Sequence, residues 1–177
     1  MHKSDYFQRL AQYNTWMNER IYAVCETLPD EVRKADRGAF FRSIHGTLNH
    51  ILLADRLWLG RFCDRPFESK SLAEELYADF TILTQERQKS DREIQNWANQ
   101  LTEEKLAAPL TFFSRSQARE CTYPLWHTAL HFFNHQTHHR GQLTTLLSQC
   151  GYDPGVTDLL WLPGTELQDS ESKVTSN

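Results

Sequence analysis

The stretch PLWHTALHFFNHQTHHRGQLTTLLSQC, residues 124–150, decides the fold. Pro124 is a favoured first helical residue, and Gly151 suits the left-handed position that closes a helix. The segment therefore reads as one long helix from about Pro124 to about Cys150. Inside it, His127, His131, His135 and His139 follow an i, i+4 step, and His138 sits beside the last of them. Two histidines four apart stack on one helix face, roughly 6 Å apart along the axis. Such a pair can hold one divalent metal ion. A third histidine on a neighbouring helix would complete a site with room for water or substrate.

Three further helices are legible. The first runs from about Ser4, a candidate N-cap, to Thr27. Phe7, Leu10, Asn14, Met17, Ile21 and Val24 recur at steps of three and four, and Leu28-Pro29-Asp30 is the stop. A charged connector then leads to Gly38. The second runs from an N-cap at Ser43 to Phe62, with Ile44, Leu48, Ile51, Leu52 and Leu59 as its apolar stripe and His50 near its middle. The third opens at Ser71, with Glu74 three residues on as a capping box. Its buried face is Leu72, Leu76, Phe80, Leu83, Ile94, Trp97 and Leu101. Between helices three and four, Leu110–Phe113 and Glu120–Tyr123 flank a polar turn from Ser114 to Arg119 and read as a short β-hairpin. After the last helix, Leu159–Leu162 is expected to pack back on the bundle. The fold class is thus all-α, a four-helix bundle with one short hairpin. The bundle is assigned to residues 1–163 and a polar, frayed C-terminal tail to 164–177.

Composition narrows the function. The 177 residues carry 19 Lys and Arg against 23 Asp and Glu, a net charge of −4, with no basic block. That balance argues against nucleic-acid binding. No apolar run approaches the ~18 residues of a membrane span, and MHKSDYFQRL lacks a signal-peptide core, so a cytoplasmic location is expected. Cys25, Cys63, Cys121 and Cys150 are dispersed and read as reduced thiols rather than a disulfide frame.

Spacing alone does not choose the histidine pair. Each i, i+4 step drifts about 40° around the helix, so the whole row cannot serve one ion. The pairs His127/His131, His131/His135 and His135/His139 all remain open. His50, flanked by apolar residues inside helix two, is the natural third ligand. No HExxH is present, so no glutamate base is built into the motif, and no other residue stands out as a general base.

Ser43-Ile-His-Gly-Thr-Leu-Asn-His50, followed by Ala54-Asp55-Arg-Leu-Trp58, resembles the second-helix motif of the DinB/YfiT-like proteins. Asn134-His-Gln-Thr-His-His-Arg-Gly-Gln142 resembles their fourth-helix motif. Ala11-Gln-Tyr-Asn14 and Asn18-Glu-Arg20 fit as well, so the likeness covers most of the chain. This family is unrelated to the similarly named error-prone DNA polymerase, and its name refers to induction by DNA damage. The resemblance implies a four-helix bundle with three metal-binding histidines. Carried over residue by residue, they fall on His50, His135 and His139. It implies nickel, zinc or iron as the metal and a homodimer as the assembly. Some relatives are thiol S-transferases that use bacillithiol, mycothiol or glutathione. The expected function is therefore a metal-dependent enzyme activating a thiol or water for a small-molecule substrate, with a transferase or hydrolase activity. The alternative is a non-catalytic metal-binding stress-response protein.

Other residues invite assignment. Asp55 lies roughly 140° around the helix from His50 and suits a structural hydrogen bond to Tyr13, Asn14 or Arg140, or the orienting of a ligand imidazole. Asn49 and Asn134, each just before a ligand position, are open to the same uses. Arg140 suits pairing with a carboxylate, or an anionic substrate. Gly141 costs a helix interior ~1 kcal/mol, so a close helix approach is expected there. Trp16, Trp126, Phe132 and Phe133 read as core. Trp58, downstream of His50, is the best pocket aromatic.

Overall fold

A computed structural model describes residues 2–166 apart from residue 116; most of the expected polar tail lies outside the described residues. Four long helices form the bundle: α1 (Lys3–Glu26), α3 (Ile44–Phe62), α4 (Phe80–Asn99) and α6 (Leu125–Gln149). Two short helices, α2 (Asp30–Lys34) and α5 (Glu103–Ala107), occupy connectors, and α2 lies within the charged connector that leads to Gly38. Strands β1 (Pro109–Ser114) and β2 (Arg119–Pro124) form the expected antiparallel hairpin, with Leu110 opposite Tyr123 and Phe112 opposite Cys121. Helix α1 packs mainly on α4, and α3 mainly on α6. No described helix is long and apolar enough to cross a membrane.

Helix ends follow local chemistry. The Ser43 hydroxyl accepts from the Gly46 N–H at 2.9 Å and starts α3 where expected. On α1 the cap moves to His2, whose backbone N–H donates to the Asp5 carboxylate at 2.8 Å, so Ser4 lies inside the helix. Pro124 is the N-cap of α6 rather than its first residue, because it still belongs to β2. Cys150 and Gly151, with φ +84°, close α6 as expected.

The largest correction concerns α4. It starts at Phe80, capped by the Asp79 carboxylate, which accepts from the Ile82 N–H at 2.9 Å; it does not start at Ser71. Glu74 instead accepts from the Lys70 N–H, and Leu72 is half exposed. Residues 71–79 cross α3 as an irregular strap, and their backbone groups serve α3 side chains. Asn49 bonds both the N–H and the carbonyl of Tyr77, at 2.9 and 3.1 Å, and His45 donates to the same carbonyl at 2.8 Å. A helix here would have consumed those groups internally.

The interior holds two apolar clusters separated by a polar layer. One contains Met17, Ile21, Ile44, Leu48, Leu52, Leu83, Leu143 and Leu147. The other contains Phe7, Ala11, Leu59, Ile94, Trp97, Phe132 and Phe133. Between them each long helix contributes polar residues: Asn14 and Asn18 from α1, Asp55 from α3, Arg87 and Asp91 from α4, Gln136 and Arg140 from α6. Arg87 bridges Asp55 at 2.5 Å and Asp91 at 2.9 Å. Asn14 and Asn18 donate to Asp91 at 3.0 and 2.8 Å, and Gln136 donates to Asp55 at 2.9 Å. Burial raises Asp55 and pushes Asp91 up to about 6, while Arg87 beside them opposes both shifts. The layer fixes the register of four otherwise greasy helices, because a slip would strand a charge in the core.

The remaining expectations divide. Among the C-terminal apolar residues only Leu162 joins the core; Leu159, Leu160 and Trp161 are exposed. The four cysteines are free thiols, as the spacing suggested. Burial pushes the Cys25 thiol up to about 12, which makes it an inert packing residue. Asp55 bonds Arg87 and Gln136 rather than Tyr13, Asn14 or Arg140. Arg140 makes no ion pair among the described residues. It donates to Asn14 at 2.5 Å and lies over the Tyr13 ring, and burial lowers its pKa to about 10. Gly141 mediates no close approach, since a Cβ there would meet nothing within 4 Å. The tight helical glycines are on α3: an added Cβ at Gly46 would collide with the Phe41 carbonyl, and one at Gly60 with the Arg65 carbonyl and the Phe67 N–H.

Candidate metal centre

His50 sits mid-way along α3, and His135 and His139 sit one turn apart on the facing side of α6. Their three Nε2 atoms converge. His50 to His139 is 3.2 Å, His50 to His135 is 3.4 Å, and His135 to His139 is 3.1 Å. Among the described residues these three form the cluster of side chains able to hold a metal ion. The other pairs left open by spacing, His127/His131 and His131/His135, gain no third ligand.

The tautomers are set from outside the cluster. His50 Nδ1–H donates to the Leu72 carbonyl at 2.8 Å, and His139 Nδ1–H donates to Gln142 Oε1 at 2.8 Å. Each proton on Nδ1 leaves a lone pair on Nε2. These lone pairs point at one another and repel unless a cation lies between them. For tetrahedral zinc with Zn–N bonds near 2.0–2.1 Å, ligand nitrogens stand about 3.3 Å apart. The observed separations bracket that value, so the donor set fits a divalent transition metal.

Electrostatics keep the imidazoles neutral, as metal ligation requires. Burial lowers His50 to about 4, with the Leu72 carbonyl opposing and His139 adding to the shift. Burial lowers His135 to about 3, helped by His139, His50 and His131. Burial also lowers His139, against the Gln142 hydrogen bond. On one side the cluster is roofed by Phe41, whose ring stacks on His50 at 3.7 Å between centroids, 15° from parallel, and meets His139 edge-on. Gly46 matters here, because only a residue without Cβ lets the Phe41 backbone close over the start of α3.

On another side the cluster opens into a cavity of about 710 Å³. His50 and His135 form part of its wall, with Trp58, Phe112, Tyr123 and His131. The hairpin closes the far side. Trp58 is thus a cavity residue, as proposed from its position, and its ring lies 5.1 Å from His131 and 5.2 Å from Phe112. His131 continues the row, 6.0 Å from His135, and its pKa is lowered by burial, then by His127 and Arg61. His127 stacks on Tyr123. His138 is exposed and receives a hydrogen bond from the Gln142 amide. Phe132 and Phe133 are core and Trp16 is packed against it, whereas Trp126, expected in the core, is exposed. Asn49 holds the strap, and Asn134 is exposed.

The DinB family model matches residues 1–172. The chain belongs to the DinB family. Among curated proteins, this DinB-family chain is 29% identical over 164 residues to "Protein DinB" of Bacillus subtilis (strain 168), covering 88% of this chain and 92% of that relative. Among solved structures, it is similar to a DinB-like protein from Bacillus cereus ATCC 10987, with a TM-score of 0.57 and 22% identity. That match covers 80% of this chain and 91% of the other, a likeness of fold.

Three contributors to the site were not read from sequence. Gln142 had a signal, since it lies three residues beyond His139 on the same helix face. Phe41 and the Leu72 carbonyl had none, because both reach the site through irregular segments.

Proposed function

We propose that this DinB-family protein is a metal-dependent enzyme that activates a thiol or a water at the three-histidine cluster, with S-transfer as the favoured reaction. The observation that carries this reading is the convergence of the Nε2 atoms of three neutral imidazoles on the wall of a cavity large enough for a small molecule. His50, His135 and His139 would hold the ion, and nickel, zinc and iron all suit nitrogen donors. A divalent cation there supplies Lewis acidity, which favours loss of the proton from a thiol or water arriving through the cavity.

The chain's own residues do the rest. Phe41 excludes water from the roofed side. The Leu72 carbonyl and Gln142 hold the ring orientations of His50 and His139. Trp58 and Phe112 offer apolar surface to the body of a substrate. In S-transfer the thiol sulfur forms a bond to an electrophilic carbon, the leaving group departs with its electron pair, and the thiol proton passes to a base. His131, neutral at pH 7 and beside His135, is the base this wall offers. The open cavity favours catalysis over a purely storage role. We extend the proposal to a cytoplasmic location and to a homodimer, and light scattering can check the second.

The test is conjugation of glutathione, bacillithiol or mycothiol to monochlorobimane by untagged, metal-loaded protein. Turnover should scale with metal content and vanish in His135→Ala. A fully loaded protein that neither conjugates any of these thiols nor hydrolyses a panel of activated esters would contradict the enzymatic reading and favour a non-catalytic metal-binding protein.

A further inference from the structure

The cavity wall carries a cation that no described residue neutralises. Arg61, half-buried near the end of α3, has its guanidinium 4.5 Å from the centroids of both Trp58 and Phe112, clasped between two aromatic rings. It forms no ion pair and no hydrogen bond among the described residues. Arg115, from the turn after β1, stands on the same wall and donates to the Ser69 carbonyl at 2.6 Å. Asp64 is the one carboxylate on the described wall, and it pairs with neither arginine. The remaining titratable side chains there include His127 and His131. Of the two most deeply buried guanidiniums, Arg87 is paired with two carboxylates, and Arg140 is held by the Asn14 side chain and the Tyr13 ring; Arg61 has only its two aromatic neighbours among the described residues. Leaving Arg61 half-buried and unpaired works against its charge, as does the nearby Arg115. Contacts from Arg61 to Trp58, Trp58 to His131, and His131 to His135 connect this cation to the histidine cluster along one wall.

We propose that Arg61, held between Trp58 and Phe112, is the subsite for a carboxylate carried on an apolar or aromatic substrate body whose reactive end reaches His50 and His135. A planar guanidinium offers a fork of donors that matches a carboxylate, and no described residue accepts from it here. The inference deepens the functional reading above and rests on this cavity being the substrate site. The hairpin then has a function: it supplies Phe112 and brings Arg115 to reinforce the positive end.

The probes are 2-naphthoate and its neutral isostere 2-naphthamide, titrated by calorimetry into metal-loaded and chelator-treated protein. Naphthoate should bind wild type at least tenfold more tightly than naphthamide in both forms. Arg61→Met should abolish that preference, and Arg61→Lys should retain part of it. In wild type, naphthoate but not naphthamide should protect Arg61 from phenylglyoxal, mapped by peptide mass, a readout that does not depend on any variant folding. Equal binding of the two probes, a preference that survives Arg61→Met, or absent protection would overturn the proposal. A preference seen only with metal present would also overturn it, placing the carboxylate on the ion and leaving the metal reading intact. A preference retained in protein that binds no metal would support the subsite while failing the catalytic reading.

Discussion

Replacing Arg87 with Met should be among the most damaging single changes to this fold. The side chain is 2% exposed and sits between Asp55 and Asp91, which come from different helices. Met matches much of its volume, so the cavity contribution is small. What remains is two carboxylates left in the core without their cation. Removing one partner of a buried ion pair costs about 3–5 kcal/mol. For a chain of this size each kcal/mol lowers Tm by about 2–4 °C, so the expected loss is roughly 6–20 °C. The sign of the pH dependence is fixed too. Burial already raises both carboxylates above their unfolded values, Asp91 to about 6, and loss of Arg87 raises them further. A group whose folded pKa is raised favours the fold at low pH and loses that contribution as pH rises through the folded pKa. The deficit relative to wild type should therefore be smaller at pH 5 than at pH 8. Adding Asp55→Asn and Asp91→Asn should recover part of it. Urea and thermal melts followed by circular dichroism at the two pH values measure these changes. A deficit below about 1 kcal/mol, or one that does not change between pH 5 and 8, would refute the claim that the layer is a charge-matched clamp.

Two further outcomes follow from single features. Gly141→Ala should stabilise the protein by about 0.5–1 kcal/mol, since the position is helical and its Cβ meets nothing, whereas Gly46→Ala should destabilise it and loosen metal binding by displacing Phe41 from His50. Paired thermal melts and metal titrations of the two variants separate these effects. In metal-free protein, His50 and His135 should stay neutral well below pH 6, titrating near 4 and 3 by imidazole NMR; values near 6.5 would show the cluster to be open to water. These depressed values stabilise the fold above the unfolded pKa of about 6.5 and withdraw that stability as pH falls toward 4 and 3.

The parts of this protein legible from its sequence are those where one helix speaks for itself. Ser43, the apolar stripe behind it and His50 located α3; the histidine row and Gly151 located α6. Helical periodicity marked His50 and the α6 row, while the choice of His135 and His139 came from the family likeness. Where two segments had to negotiate, sequence reasoning failed. Ser71 and Glu74 have capping-box spacing, yet the strap they belong to is held open by Asn49, His45 and His50 from α3, demands invisible within residues 71–79. Arg140 was expected to find a carboxylate, but Arg87 from α4 claims both nearby ones and leaves Arg140 to Asn14. Gly141 looked like a packing glycine, but the helix turns that face outward. Phe41 reached the site from a loop whose course depends on Gly46, a relation between residues that no periodicity encodes.

The central claim is that three Nε2 atoms, from His50, His135 and His139, hold one divalent ion. The most direct measurement is anomalous diffraction from crystals of untagged protein, collected on both sides of the absorption edge of the metal found by mass spectrometry. The account predicts one anomalous peak per chain, about 2.0–2.2 Å from all three Nε2 atoms, with at least one coordination position facing the cavity. A peak elsewhere, such as on His127 and His131, or protein that carries no metal after incubation with nickel, zinc and iron, would contradict it.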